Sequence, residues 1–171
     1  MRAPANTARL FEKDKPGKAS NRSAMTKSVS LGLAERTRAL TTMSVLQGCP
    51  PAEVEQIASR AHVMVFDDGE VIVPEGEEGL GFYFITDGRV RVLRAGDVIA
   101  SLGAGDFFGE VSLLEGTVRN ATVVADGTVT CIGILRSFFR PLLARNPRLA
   151  LRILDIEMLR FSEEEGEDQA G

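Results

Sequence analysis

Apolar positions along the chain change their period twice. Between residues 31 and 47, Leu31, Leu33, Leu40, Met43, Val45 and Leu46 recur among polar residues. That spacing predicts a helix ended by Gly48. Pro50-Pro51 then opens a second helix over 51–61, because proline suits a first turn, and Val54, Ile57 and Ala58 give it one apolar face. From 62 to 134 the apolar runs shorten: His62–Phe66, Val71–Val73, Phe82–Thr86, Val90–Leu93, Val98–Leu102, Thr122–Val124 and Val129–Ile134. Turn signals separate them, among them Asp68-Gly69, Asp87-Gly88, Arg94-Ala95-Gly96-Asp97 and Asp126-Gly127, and twelve of the 17 glycines fall between 69 and 133. Short strands with such punctuation predict a mainly β fold, an eight-stranded jelly-roll barrel with flanking helices.

After 134 the helical period returns. Ser137 is the expected cap of a short helix through about Arg145, and Asn146-Pro147 starts another that runs to about Phe161. This last helix carries two apolar stripes, Leu151, Leu154, Met158, Phe161 and Leu149, Ile153, Ile156. A surface helix needs only one. The second fits a homodimer through helix 147–161, or a groove of the chain's own domain. The expected organisation is a disordered basic tail over 1–30, one domain over 31–162 and an acidic disordered tail over 163–171. Within the domain, N-terminal helices cover 31–61, the jelly roll 62–134 and C-terminal helices 136–161.

Charge sharpens this division. The net charge is −4, yet residues 1–38 hold nine Lys/Arg against three Asp/Glu, while the last nine residues hold five acids and no base. The basic stretch, rich in Ala, Ser, Lys, Pro and Asn, reads as a solubilising tail or as a docking arm for an acidic partner. Residues 39–162 have 11 Arg and 16 acids, a poor electrostatic footprint for DNA. Two cysteines, Cys49 and Cys131, are too few for a disulfide scaffold, so they read as packed apolar groups in a reducing, cytoplasmic setting. The single histidine, His62, argues against a metal centre built on histidines and reads as a structural strand residue. No apolar run approaches the roughly 20 residues of a membrane-spanning helix.

The chemistry concentrates in residues 105–123, where glycines and aromatics lead into Phe108-Gly109-Glu110-Val111-Ser112-Leu113-Leu114, a glycine turn, and Val118-Arg119-Asn120-Ala121-Thr122-Val123. An anion over the start of a short helix there meets unpaired backbone N–H groups. Arg119 adds a permanently charged, two-pronged partner for phosphate oxygens. Glu110 repels a phosphate but is a strong acceptor for a sugar hydroxyl. The pair suits a phosphorylated sugar with a free 2′-hydroxyl; it is equally the composition of a structural ion pair.

This segment resembles the phosphate-binding cassette of cyclic nucleotide-binding domains, such as those of catabolite activator protein and protein kinase A regulatory subunits. The family pattern is Phe-Gly-Glu, a small or apolar residue, Ala-Leu-Leu, a short loop, then Pro-Arg, a small residue, Ala, Thr/Ser, Val. Gly69-Glu70-Val71-Ile72, Glu75-Gly76-Glu77 and Phe82–Val90 resemble the family's first hairpin and central strand pair, so the likeness spans about residues 40–161. The resemblance implies that Arg119 pairs with the cyclic phosphate and Glu110 accepts from the ribose 2′-hydroxyl. It implies that backbone N–H groups of Gly109, Val111, Ser112, Asn120 and Ala121 complete the cradle beside Phe108. Leu159 and Phe161 are candidates to cap the base. Val118 replaces the usual proline. Asn120 replaces the usual Ala, Ser or Thr, where members favouring cyclic GMP often have Thr.

The function this implies is a sensor that takes cAMP in preference to cGMP, needs no cofactor or metal, and is not an enzyme. Ligand binding would move the C-terminal helices to control a protein partner. No DNA binding is expected, since only ten residues follow Phe161 and a helix-turn-helix would need more. The alternative is a degenerate fold that has lost its nucleotide and serves protein interaction.

Overall fold

A computed structural model describes residues 27–109 and 118–168, with the backbone alone for 27, 28, 161 and 163–168. The elements are β1 (Lys27–Ser28), α1 (Leu33–Thr41), a 3-10 turn (Ser44–Leu46), α2 (Pro51–Arg60), β2 (His62–Phe66), β3 (Val71–Val73), β4 (Gly81–Arg94), β5 (Asp97–Gly103), β6 (Phe107–Phe108), β7 (Thr122–Leu135), α3 (Arg136–Arg145) and α4 (Pro147–Asp168).

The mainly β character holds, but the expected eight-stranded jelly-roll barrel does not appear in that form. Among the described residues seven antiparallel strands join in one sheet, in the order β1-β2-β7-β4-β5, with β3 on β7 and β6 on β4. The difference lies at two glycines. Asp87-Gly88 and Asp126-Gly127, read from sequence as turns between strands, lie inside the 14-residue strands β4 and β7. Gly88 (φ +88°) and Gly127 (φ +78°) adopt a left-handed backbone conformation, and the β4–β7 register slips on both sides of Asp87. Such bulges bend a strand without ending its pairing. Each long strand therefore serves two partners: β7 takes β3 at its start and β2 at its end, and β4 takes β6 and then β5.

Strand alternation then divides two cores. Phe82 and Phe84 of β4, with Ile132 and Ile134 of β7, face the helices and meet Leu40, Val45, Ile57, Phe139, Leu142 and Ile153. Tyr83 and Ile85, with Val129 and Cys131, face the other way and pack with Met64, Phe66, Ile72, Val90 and Phe108. Being covered on both faces, Phe82–Ile85 reads in sequence as an unbroken apolar run. The hairpin at Arg94-Ala95-Gly96-Asp97 forms as expected, with Arg94 opposite Asp97. Ala95 (φ 52°) and Gly96 (φ +90°) give the mirror-image turn that two-residue hairpins favour.

The helices depart from expectation at their ends. The 31–47 helix breaks after Thr41, where the Thr41 and Thr42 hydroxyls donate to the Thr37 and Ala39 carbonyls and compete with the backbone for the last turn's acceptors. Ser137 is not a cap: Leu135 holds the N-cap position of α3, without a side-chain bond. Asn146 caps α4, its side-chain oxygen accepting from the Leu149 N–H (3.2 Å), and its amide donates to Glu53 of α2 (2.6 Å). α4 continues past Phe161 to Asp168, so the acidic run expected to be a disordered tail is helical that far. Lys27–Ser28, inside the expected 1–30 tail, pairs with β2.

Candidate functional site

Residues 75–78 run beside residues 118–122. The Gly76 N–H donates to the Arg119 carbonyl and the Arg119 N–H to the Glu77 carbonyl, both at 2.8 Å, while Glu78 bridges Val118. The Glu75 N–H donates to the Thr122 hydroxyl (2.9 Å), and the Glu75 carboxylate accepts from the Ala95 N–H (3.0 Å). Arg119 is thus held by its backbone on both sides, and its side chain turns inward.

There Arg119 is 6% exposed. It donates to the Gly109 carbonyl (3.0 Å) and the Gly81 carbonyl (2.6 Å) and lies 5.8 Å from the centroid of the Tyr83 ring, within cation–π range. Tyr83 stacks on Phe108 at 5.0 Å. Burial pushes the Tyr83 phenol well above its usual range, against the opposing pull of Arg119. Two neutral carbonyls and an aromatic face fix the plane of a planar, permanently charged fork.

Gly109 admits no other residue without rearrangement. Its φ is +95°, and a Cβ there would stand 2.5 Å from Arg119 Nη1 and 2.8 Å from the Gly81 carbonyl oxygen. The Phe-Gly step of the sequence is therefore what lets the guanidinium approach the backbone.

Of the sequence-derived site residues, the structure brings Phe108, Gly109 and Arg119 together. Ala121 is buried just before β7, and Asn120 is exposed, its carbonyl accepting from Arg94 Nε at 3.4 Å. Glu110, Val111 and Ser112 lie outside the described residues. So does any cap from Phe161, of which only the backbone is described; Leu159 is 65% exposed. His62 is exposed on β2.

Sequence reasoning missed three contributors. Gly81 and Tyr83 reach Arg119 through pairing distant in sequence: residues 76–78 bond Val118 and Arg119, and β4 pairs with β6, which brings Tyr83 opposite Phe108. Arg160 of α4 donates to the Phe107 carbonyl (2.9 Å), lies 4.6 Å from the Phe107 ring centroid, and pairs at 2.7 Å with Glu157, itself 9% exposed. The last helix is thereby fastened to the two-residue strand that enters the site. A signal for Arg160 existed in the i, i+3 Glu157–Arg160 spacing, but nothing local names Phe107 as its target.

Residues 63–146 match the family described as the cyclic nucleotide-binding domain. The chain is 38% identical over 105 residues to the cAMP-dependent protein kinase regulatory subunit of Debaryomyces hansenii, covering 61% of this chain and 23% of that protein. It is 32% identical over 107 residues to human cGMP-dependent protein kinase 2, covering 58% and 14%. A solved structure of cAMP-bound PfPKA-R (141-441) superposes with a TM-score of 0.69 at 28% identity, covering 79% of this chain and 48% of that one. The chain spans less than a quarter of the length of these curated relatives. Over residues 63–146, this chain is similar to the cyclic nucleotide-binding domain family.

Proposed function

We propose that the domain is a receptor for a cyclic nucleotide, cAMP in preference to cGMP, and that it acts as a regulatory module and not as a catalyst. The observation that carries the reading is the buried Arg119, held in plane by the Gly109 and Gly81 carbonyls beside the Phe108-Gly109 step. In this reading Arg119 pairs with the cyclic phosphate and Glu110 accepts from the ribose 2′-hydroxyl. Backbone N–H groups of Gly109, Val111, Ser112, Asn120 and Ala121 cradle the remaining oxygens. The preference for cAMP rests on Asn120, which stands where Thr is frequent in members that favour cGMP.

The signal follows from the Arg160 contact. Phe107 adjoins the site, and Arg160 grips its carbonyl and ring. A ligand that tightens the loop after Phe108 shifts the strand that α4 holds, and residues 136–161 follow. The ligand biases that shift only by its difference in affinity for the two positions. A regulated protein partner would read the moved helices.

A thermal-shift series tests the reading with cAMP, cGMP and 5′-AMP at matched concentrations. A rise in Tm with a cyclic nucleotide but not with 5′-AMP is expected, since a ligand that binds only the folded state stabilises it. No rise with either cyclic nucleotide, in protein stripped of carried-over ligand, would favour the degenerate fold.

A further inference from the structure

α4 has apolar side chains on opposite sides. Leu149 and Ile153 are buried in the helix-facing core, and Ile156 packs against it. At about 100° per residue, Leu151, Leu154 and Met158 fall on the reverse side. They are 59%, 44% and 70% exposed. Their spacing of three and four is the seam of a two-helix contact.

The charges along α4 run against its own dipole. Pro147 to Leu154 contains Arg148 and Arg152 and no acid; Asp155 to Asp168 contains seven acids and Arg160. The first turn has no acidic residue and the last turn no basic one, the reverse of what a helix macrodipole favours. A neighbour lying antiparallel corrects both ends at once. The acidic end of each helix would lie beside the basic end of the other, with the two dipoles opposed. Parallel pairing would set Glu163, Glu164, Glu165, Glu167 and Asp168 beside their own copies. The basic end also adjoins a cavity of about 210 Å³ whose lining includes Arg145, Arg148 and Arg152.

We infer that the outward face of α4 seats a second copy of this chain, the two α4 helices packing antiparallel. Leu151 then stands near Met158 of the second copy, and the acidic end of that copy approaches Arg145, Arg148 and Arg152. A contact confined to one pair of 22-residue helices, about 33 Å long, is small for a stable interface, so the association is micromolar and salt-sensitive. The inference stands independently of the nucleotide reading, because assembly is measured without nucleotide.

Sedimentation velocity on the full chain, from low to several hundred micromolar, is expected to show a monomer–dimer equilibrium that weakens in high salt. Leu154→Glu and, separately, Met158→Lys should each weaken it at least tenfold with unchanged circular dichroism. Orientation is read in a Cys49→Ser background. The Leu151→Cys chain mixed with the Met158→Cys chain should oxidise to the mixed disulfide, and neither should cross-link to itself. A monomer at every concentration, or cross-linking of each chain only to itself, would overturn the proposal.

Discussion

Arg119 is a charge drawn out of water and kept flat. Its backbone is tied to Gly76 and Glu77, its fork to Gly81 and Gly109, and its face to Tyr83. Arg119→Lys keeps the charge but loses the two-pronged geometry, so it should bind nucleotide more weakly than wild type in equilibrium dialysis. Equal affinity would show that the fork is not used. Gly109→Ala forces an L side chain to φ +95° against Arg119 and Gly81. It should cost about 1–3 kcal/mol in a urea titration. Burial pushes the Tyr83 phenol and the Cys131 thiol above their ordinary values. Groups that hold their protons more tightly when folded contribute stability that is complete below their unfolded pKa and is lost above it. The urea midpoint should therefore fall between pH 8 and about 10.5, as the unfolded thiol and phenol begin to ionise near 8.5 and 10. A flat midpoint would contradict their burial. At this scale Gly109 and Arg119 were legible, because a glycine and an arginine at fixed spacing carry their chemistry locally. Gly81 and Tyr83 were not, because pairing between segments distant in sequence brings them to Arg119.

Strands β4 and β7 are the elements on which the architecture turns. The sequence pattern located every apolar run in them but divided each at a glycine. Asp-Gly signals a turn or a bulge with the same residues, and the pairing partner decides between them. A Cβ on Gly88 would overlap the Thr128 carbonyl and crowd Val129. Gly88→Ala should therefore unfold at lower denaturant, whereas Gly69→Ala, with open space around it but a φ of +79°, should bear only the conformational strain. Similar losses at the two positions would argue against the close approach at the bend. The helices were legible wherever proline marks a start, at Pro51 and Pro147. They were misread at ends set by side-chain bonds of Thr41 and Thr42, and where the acidic run continues α4. Arg160 is the fastening of α4 to β6. Arg160→Ala removes the bond to the Phe107 carbonyl, the ring contact and the partner of the buried Glu157. Hydrogen exchange over 147–160 should quicken markedly while β4 and β7 stay protected; unchanged exchange would mean that packing of Leu149 and Ile153 holds the helix alone.

At the scale of the whole molecule, two cores share one bent sheet, and the site sits where they meet. Phe107 belongs to the helix-facing core and Phe108 to the other, where it stacks on Tyr83, the ring beside the Arg119 guanidinium. That adjacency, with the match of residues 63–146 to the cyclic nucleotide-binding family, is why the proposed ligand at Arg119 and the proposed movement of α4 belong to one account. Among the described residues no helix is long and apolar enough to cross a membrane. The central claim is that Arg119 receives the phosphate of a cyclic nucleotide. Calorimetric titration of the ligand-free protein with cAMP and with cGMP, repeated on Arg119→Ala, tests it most directly. The account predicts micromolar or tighter binding, stronger for cAMP, and a loss of about 2–5 kcal/mol in the variant, enough to make binding nearly undetectable. Binding of equal strength in wild type and Arg119→Ala would contradict it.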